Sequence, residues 1–373
     1  MDNKKRRIGV FIAAMLAISA FAAMTPMTSA APKPKPSDSF QASSADIVVS
    51  NNIYDVTVED TLGSDGIGTY TVSTGSGFPQ PNQDILFGGA DHNAWSSYLT
   101  VRSYTTKTDY VTTTSSPATT PGFTVVNLDP ANVNIVPTAT SVTTSWFTGA
   151  VGPDALNITQ VIAIEGTTVA DSRVRVTTNV TNIGNESVRI GIRYEWDIMI
   201  DGADGSWFAE RNPNGPWIDT EQEWALPIFE SYEITNDPAN PIFTIVGTVT
   251  GPTTLSPPPT PPDLLQFAAW GSEPSPGVYD FAFDFTPTGR TIAGPGKDSA
   301  ITYLWGNNET TAIELSPGET VSVTQYLYAI PAPPPAPPAP VPALTPIGLI
   351  ALVGLLSVIA AVSIRTTVRK KRE

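Results

Sequence analysis

The chain has 373 residues, no cysteine, a single histidine, and 20 Lys and Arg against 35 Asp and Glu, for a formal charge of −15. The lack of cysteine excludes disulfides, thiol catalysis and thiolate metal sites, and the lone His92 excludes histidine metal triads. Without its two basic ends the chain keeps 11 basic and 33 acidic residues, about −22, which disfavours nucleic acid and anionic lipid as partners.

Residues 1–31 open on Lys4-Lys5-Arg6-Arg7, continue through an apolar run from Ile8 to Met24, and end in small residues up to Ala31. That order predicts a secretory signal peptide cleaved near Ala30 or Ala31; Thr25-Pro26 argues against a first transmembrane helix. Residues 32–45 are a Pro/Lys/Ser linker. From 46 to 330 short runs rich in Val, Ile, Thr and Tyr alternate with Gly, Pro, Asn and Asp, which predicts strands at 53–59, 69–74, 97–104, 123–128, 141–147, 158–165, 299–305 and 319–328. With no helical period in this region, the fold class is all-β, a large antiparallel sandwich of one lobe or two. Thr/Ser-rich 105–120 and Pro-rich 251–262 read as exposed connections.

Residues 171–199 show period-two alternation on both sides of the Gly-containing segment 182–186. This predicts a long antiparallel hairpin with Arg173 near Glu195 on its solvent face. Just beyond, Asp197, Asp201 and Asp204 surround two glycines, a set that suits Ca²⁺, although Asp-Gly clusters also simply make turns. No other cofactor is expected. Glu195, Asp197, Glu221 and Glu223 are the carboxylates from which a glycosidase pair could be drawn, but sequence gives no separation for them. His92 reads as a structural loop residue. Trp207, Trp217 and Trp224 lie in a Gly/Pro/Asn-rich connection and are candidate ligand aromatics, whereas Trp196 and Trp305 sit on strands and belong to the core. Acceptor sequons occur at Asn157, Asn179, Asn185 and Asn308.

The C-terminal end contains a proline-rich stalk, 331–346, of polyproline II type, then a charge-free apolar run, 347–364. That run is long enough for one transmembrane helix, and the basic tail 365–373 places the C-terminus inside.

Two resemblances follow from these residues. Val341-Pro342 and Pro346, followed by an apolar span and a basic end, resemble the VPXXXP-CTERM sorting domain of archaeal surface proteins. This implies recognition by an archaeosortase-type enzyme that cleaves near the motif and transfers the protein to an envelope anchor; an ordinary single-pass anchor is the alternative. Arg193-Tyr-Glu-Trp-Asp197 followed by Asp201-Gly-Ala-Asp204-Gly is similar to a pattern in exported β-sandwich proteins related to supersandwich folds of the galactose-mutarotase type. That likeness spans about 157–328 and bears on fold more than on function. The sequence thus leads to a non-enzymatic archaeal surface protein, anchored in the membrane or envelope, with a structural, adhesive or binding role and with envelope proteins or glycans as partners. The alternative is a carbohydrate-binding or carbohydrate-processing domain displayed at the same surface.

Overall fold

The computed structural model describes residues 46–60, 66–115, 117–128, 133–149, 152, 154–271 and 276–332, and within the C-terminal segment 353, 355–359 and 361–362. Strands β1 (Ile47–Ser50), β2 (Tyr54–Val58) and β3 (Tyr70–Thr74) make a small antiparallel sheet. β4 (Tyr98–Ser103), β5 (Thr108–Val111) and β6 (Thr124–Asn127) begin a large sheet, here called the front sheet. β7 (Val133–Pro137), β8 (Ser141–Phe147), β9 (Leu156–Glu165) and β10 (Arg173–Asn182) form an antiparallel meander in a second large sheet, the back sheet.

The chain then moves between the two. β11 (Val188–Ile198) enters the front sheet, β12 (Trp207–Arg211) the back, and β13 (Gln222–Ala225) the front edge. β14 (Ser231–Thr235) and β15 (Phe243–Thr248) return to the back sheet. β16 (Leu264–Ala269), β17 (Ser299–Trp305) and β18 (Ile313–Leu315) complete the front sheet, and β19 (Thr320–Pro331) fills the centre of the back sheet beside β10. All the pairings are antiparallel except β5 with β6, so the all-β antiparallel sandwich is what the structure shows.

The core forms because inward positions alternate on strands of both sheets. Val174, Val176 and Val180 of β10 lie in one apolar cluster with Ile192, Tyr194 and Trp196 of β11 and Tyr303 of β17. Buried phenols keep their hydroxyls satisfied across the gap, as the cost of desolvation requires. Tyr194 Oη reaches Thr178 Oγ1 at 3.0 Å and Val323 O at 3.3 Å, while Tyr303 Oη reaches Tyr232 Oη and Thr248 O at 2.9 Å each.

The expected hairpin over 171–199 is not there. β10 pairs with β9 and β19, and β11 with β4, β17 and β18, so the two strands belong to opposite sheets and residues 183–187 connect those sheets. Arg173 sits by Glu165 (3.7 Å), and Glu195 is buried rather than on a solvent face. Period-two alternation states which side of a strand is apolar but not which strand lies next to it, and here both are interior strands. Part of 105–120 is likewise strand: β5 lies inside it, and Thr112 and Thr113 are buried.

The outer face of the front sheet is polar yet covered. In register across β4, β11, β17 and β16 it carries Tyr98, Arg102, Gly191, Arg193, Glu195, Asp197, Thr302 and Gln266. A strap, residues 276–290, folds back over this face through a short 3-10 turn, Val278–Asp280. Gly191 is what allows the fit: a Cβ there would lie 2.5 Å from Gly306 O and 2.8 Å from the Phe283 ring.

In the C-terminal segment, the described residues 353, 355–359 and 361–362 are helical. Among the described residues no helix is long and apolar enough to cross a membrane. The expected signal peptide, most of the linker and span, the stalk with Val341, Pro342 and Pro346, and the basic tail lie outside the described residues.

Replacement of Gly191 by alanine forces the strap or the β11–β17 pair to shift, with an expected loss of roughly 2–3 kcal/mol of stability. Urea denaturation of the G191A variant measures this; an unchanged midpoint would show that the strap is not seated on β11.

Candidate functional site

Three ion-pair and hydrogen-bond groups tie the strap to the front sheet. Arg193 is fully buried, with Nη1 donating to Tyr98 Oη (2.8 Å) and Phe281 O (3.2 Å) and Nη2 donating to Val278 O (2.7 Å). Burial pushes the Tyr98 phenol up, although Arg193 beside it acts in the opposite sense. Arg102 holds Asp109 with two bonds, Nε to Oδ1 at 2.6 Å and Nη2 to Oδ2 at 2.8 Å, and its Nη1 donates to Asp284 Oδ2. Its guanidinium lies 3.9 Å and 4.3 Å from the Phe123 and Phe283 ring centres. Burial raises the Asp109 carboxyl, and Arg102 pulls it only part of the way back.

Glu221 is the third anchor. Its Oε1 accepts from Ala269 N (3.1 Å) and Arg290 Nε (2.8 Å), and its Oε2 from Thr288 N and Thr288 Oγ1 (2.8 Å each). Burial pushes this carboxyl up, but the donors, Arg290 first, outweigh it and hold Glu221 below the usual carboxylate range.

Between the Asp284 and Glu221 anchors lies a cavity of about 450 Å³. The Phe281 and Phe285 rings, 5.6 Å apart between centroids, form its apolar wall, with Asp284, Thr286, Thr288 and Arg290 around them. The Asp284 side chain is 45 % exposed, and its hydrogen bonds, from Arg102 and Thr120, both fall on Oδ2. One carboxylate edge is therefore fixed by the protein and the other is presented to the cavity. Flat apolar surface beside a fixed carboxylate, hydroxyls and a guanidinium can bind a molecule with one C–H face and a rim of hydroxyls. Among the described residues Asp284 is the carboxylate that lines the cavity.

The sequence-derived candidates are scattered by comparison. Glu195 and Asp197 are buried beneath the strap, Glu221 is occupied, and Glu223 is exposed at the sheet edge. Asp197, Asp201 and Asp204 do not gather: Asp201 is exposed at φ 49°, while Asp197 points from a fully buried strand. Among the described residues the acidic group close enough to share an ion is instead Asp46, Glu59 and Asp60. There burial, followed by repulsion from Glu59, pushes the Asp46 carboxyl up to about 7. His92 occupies a turn, its Nδ1 3.0 Å from Thr57 Oγ1.

Of the three tryptophans, Trp224 stands on β13 of the front sheet, and Trp207 and Trp217 lie at the edge of the back sheet where Phe208 pairs with Ile218. Trp224 packs into the core edge, stacked on Phe208 at 4.8 Å with Nε1 donating to Glu210 Oε1. Trp217 lies over Arg211 at 4.9 Å, and Trp207 is on β12. Trp196 and Trp305 are in the core as expected. Asn185 and Asn308 are exposed, and Asn157 and Asn179 are half-buried on the back sheet. Sequence reasoning missed Phe281, Asp284, Phe285 and Arg290. The available signal was the aromatic–acid–aromatic run Phe281-Ala-Phe-Asp-Phe285 inside a Gly/Pro-rich stretch.

No protein-family model and no curated protein matches the chain. Among solved structures it is similar to a candidate aldose 1-epimerase from Escherichia coli K12, at 10% identity and TM-score 0.46 over 77% of this chain and 99% of that one. It is also similar to a galactose mutarotase related enzyme from Lactobacillus acidophilus (11%, 0.43, over 76% and 97%). A galactose mutarotase-like protein from Lactobacillus casei ATCC 334 gives comparable figures (9%, 0.42, over 76% and 100%). At these values the likeness is one of architecture, and it agrees with the supersandwich resemblance of residues 157–328. These structures carry enzyme names of carbohydrate chemistry, against the expectation of a non-enzymatic structural or adhesive protein, but at TM-scores below 0.5 the likeness assigns this chain no role. The carbohydrate alternative is the one kept.

Because Glu221 is held below its ordinary 4.5, it contributes stability that is fully present above that value and is lost as pH falls through the folded-state value. The Glu221→Gln variant is expected to lose about 2 kcal/mol at neutral pH and to show a shallower decline on acidification. Thermal melts from pH 7 down to pH ~3 compare the two, and parallel curves would refute the assignment.

Proposed function

We propose that residues 46–332 form a carbohydrate-binding and carbohydrate-processing domain, with its site in the cavity between Phe281, Phe285, Asp284 and Arg290. The observation that carries this reading is the Asp284 carboxylate, pinned through Oδ2 beside two phenyl rings and exposed on its other side. A pyranose offers an apolar C–H face for the rings and hydroxyl donors for the carboxylate. Thr286, Thr288 and the Arg290 guanidinium complete the polar rim. With one carboxylate in the wall, the chemistry within reach needs a single proton carrier. Opening of a reducing sugar's hemiacetal is such a reaction: Asp284 takes the anomeric hydroxyl proton as the ring C–O bond breaks, and passes it to the freed ring oxygen.

The test is ligand-observed NMR of the intact domain with neutral mono- and oligosaccharides, together with the rate of anomer exchange of a reducing sugar. Binding is expected, and Asp284→Asn should weaken it about tenfold and remove any acceleration of exchange. A folded protein that binds none of these sugars would overturn the proposal.

We further infer from the terminal segments alone that the domain is exported and anchored at the outer surface of the cell, with Asn185 and Asn308 as accessible glycan acceptors. Support lies in the order of the N-terminal basic, apolar and small residues, and in the motif Val341-Pro342 with Pro346 ahead of an apolar run and a basic end. Mass spectrometry of the C-terminus of native material tests processing by an archaeosortase-type enzyme. Loss of everything beyond 341–346 with an added lipid mass is expected; an intact 365–373 tail would leave a plain membrane segment instead.

A further inference from the structure

Four polar side chains stand in one row on the strap-covered face of the front sheet. Glu223 of β13 is the cross-strand partner of Gln266 on β16, Gln266 of Thr302 on β17, and Thr302 of Glu195 on β11. Directly opposed residues have Cβ atoms about 4.5–5.5 Å apart, so each side chain in the row is within reach of the next. Thr302 Oγ1 donates to Gln266 Oε1 at 3.0 Å. Gln266 Nε2 donates to Glu223 Oε2 at 3.2 Å and to the strap carbonyl Phe285 O at 2.9 Å. Thr302 and Glu195 are fully buried, Gln266 is 1 % exposed, and Glu223 lies at the exposed end of the row.

We propose that this row closes an intramolecular ester between Thr302 and Gln266. It has the four parts that acyl transfer needs, in the right order. Glu195, the cross-strand neighbour of Thr302, is assigned as the base, and Thr302 Oγ1 as the nucleophile. Gln266 Cδ is the acyl carbon, and Glu223 accepts from the departing nitrogen, Nε2, at the exposed end of the row. Glu195 accepts the Thr302 hydroxyl proton as Oγ1 attacks Cδ. The new bond is Oγ1–Cδ, and the bond that breaks is Cδ–Nε2. The nitrogen takes up a solvent proton at the exposed end of the row and leaves as ammonia, and Glu195 then gives up the proton it accepted, so that Thr–OH and Gln–CONH₂ become the ester and NH₃. In sum a hydroxyl hydrogen and an amide NH₂ depart together; nothing is oxidised or reduced, and no co-reactant is consumed.

Nε2 is bonded toward Phe285, which lines the open cavity, and toward the exposed Glu223, so the ammonia has a way out. The ester itself stays behind where Thr302 and Gln266 are shut off from water, which protects it from hydrolysis. The inference is independent of the carbohydrate reading, since it uses the front sheet and not the ligand cavity.

The experiment is mass spectrometry of the purified full chain, followed by trypsin digestion. The sequence has no Lys or Arg between Arg211 and Arg290, and Thr302 follows Lys297, so the two partners fall on separate tryptic peptides. The expected result is a mass lower by one ammonia, with the peptide starting at Asn212 joined to the one starting at Asp298. Hydroxylamine should part them, as it cleaves esters and spares amides. Thr302→Val and Gln266→Glu should each give separate peptides, and Glu195→Gln should slow the joining while both partners are present. Two separate peptides from the unaltered chain would overturn the proposal. So would a loss of ammonia that maps to Asn214-Gly215 as a succinimide without joining them. Both readouts on the unaltered chain stand even where a variant fails to fold.

Discussion

A guanidinium with no access to water governs this fold. Moving a cation out of solvent costs several kcal/mol unless its donors are matched, and Arg193 matches both Nη groups with main-chain carbonyls of the strap and the phenol of Tyr98, while its Nε has no partner among the described residues. β11 is therefore buried on both sides by two different chemistries. Its Tyr194 and Trp196 side joins the apolar core, while its Arg193, Glu195 and Asp197 side needs a polar cover. A helix packed there would present side chains; an irregular strap presents carbonyls, which a buried arginine can use. Residues 276–290 are irregular for that reason and are as much a part of the fold as any strand.

The strap also makes the cavity. The Phe281 carbonyl accepts from Arg193 while its ring walls the cavity, and the Phe285 carbonyl accepts from Gln266 while its ring does the same. Asp284, between them, is held by Arg102, which is itself clamped by Asp109 and by the Phe123 and Phe283 rings. Phe281, Asp284, Phe285, Thr288 and Arg290 are thus tied by hydrogen bonds to residues of the front sheet or its connections. That kind of support gives a binding site fixed geometry even when its residues lie on a loop.

Much of the sandwich was legible in the sequence because strands with one apolar face write their period plainly. The segments expected at 53–59, 141–147 and 299–305 fall on β2, β8 and β17. The partnering of β10 with β11 was misread because both carry the same alternation, and because Arg173, Arg193 and Glu195 looked alike as outward charges. Only burial distinguishes them, and burial of Glu195 depends on a strap about ninety residues further on. The site was invisible for the same reason. Asp284 is an ordinary acid in a Gly/Pro-rich stretch until Arg102, 182 positions earlier, is placed beside it. The acidic triplet Asp197, Asp201 and Asp204 drew notice by local density, yet density along the chain says nothing about where a strand and its following turn point their carboxylates.

The distribution of charge narrows what can enter the cavity. The chain spends its few cations on itself: Arg102 on Asp109 and Asp284, Arg173 and Arg175 on Glu165, Arg211 on Glu233, Arg290 on Glu221 and Lys107 on Glu309. Pairing at the surface adds little to stability, but pairing of the buried and half-buried arginines leaves the surplus of carboxylates to set the field outside. An anionic polysaccharide would approach against that field and would find Arg290 already committed to Glu221 and to the Pro276 carbonyl. A neutral sugar meets no such barrier, and its hydroxyls are the donors that the exposed edge of Asp284 lacks. The same surplus that disfavours nucleic acid on composition grounds is, under the proposed function, consistent with an uncharged glycan at the strap.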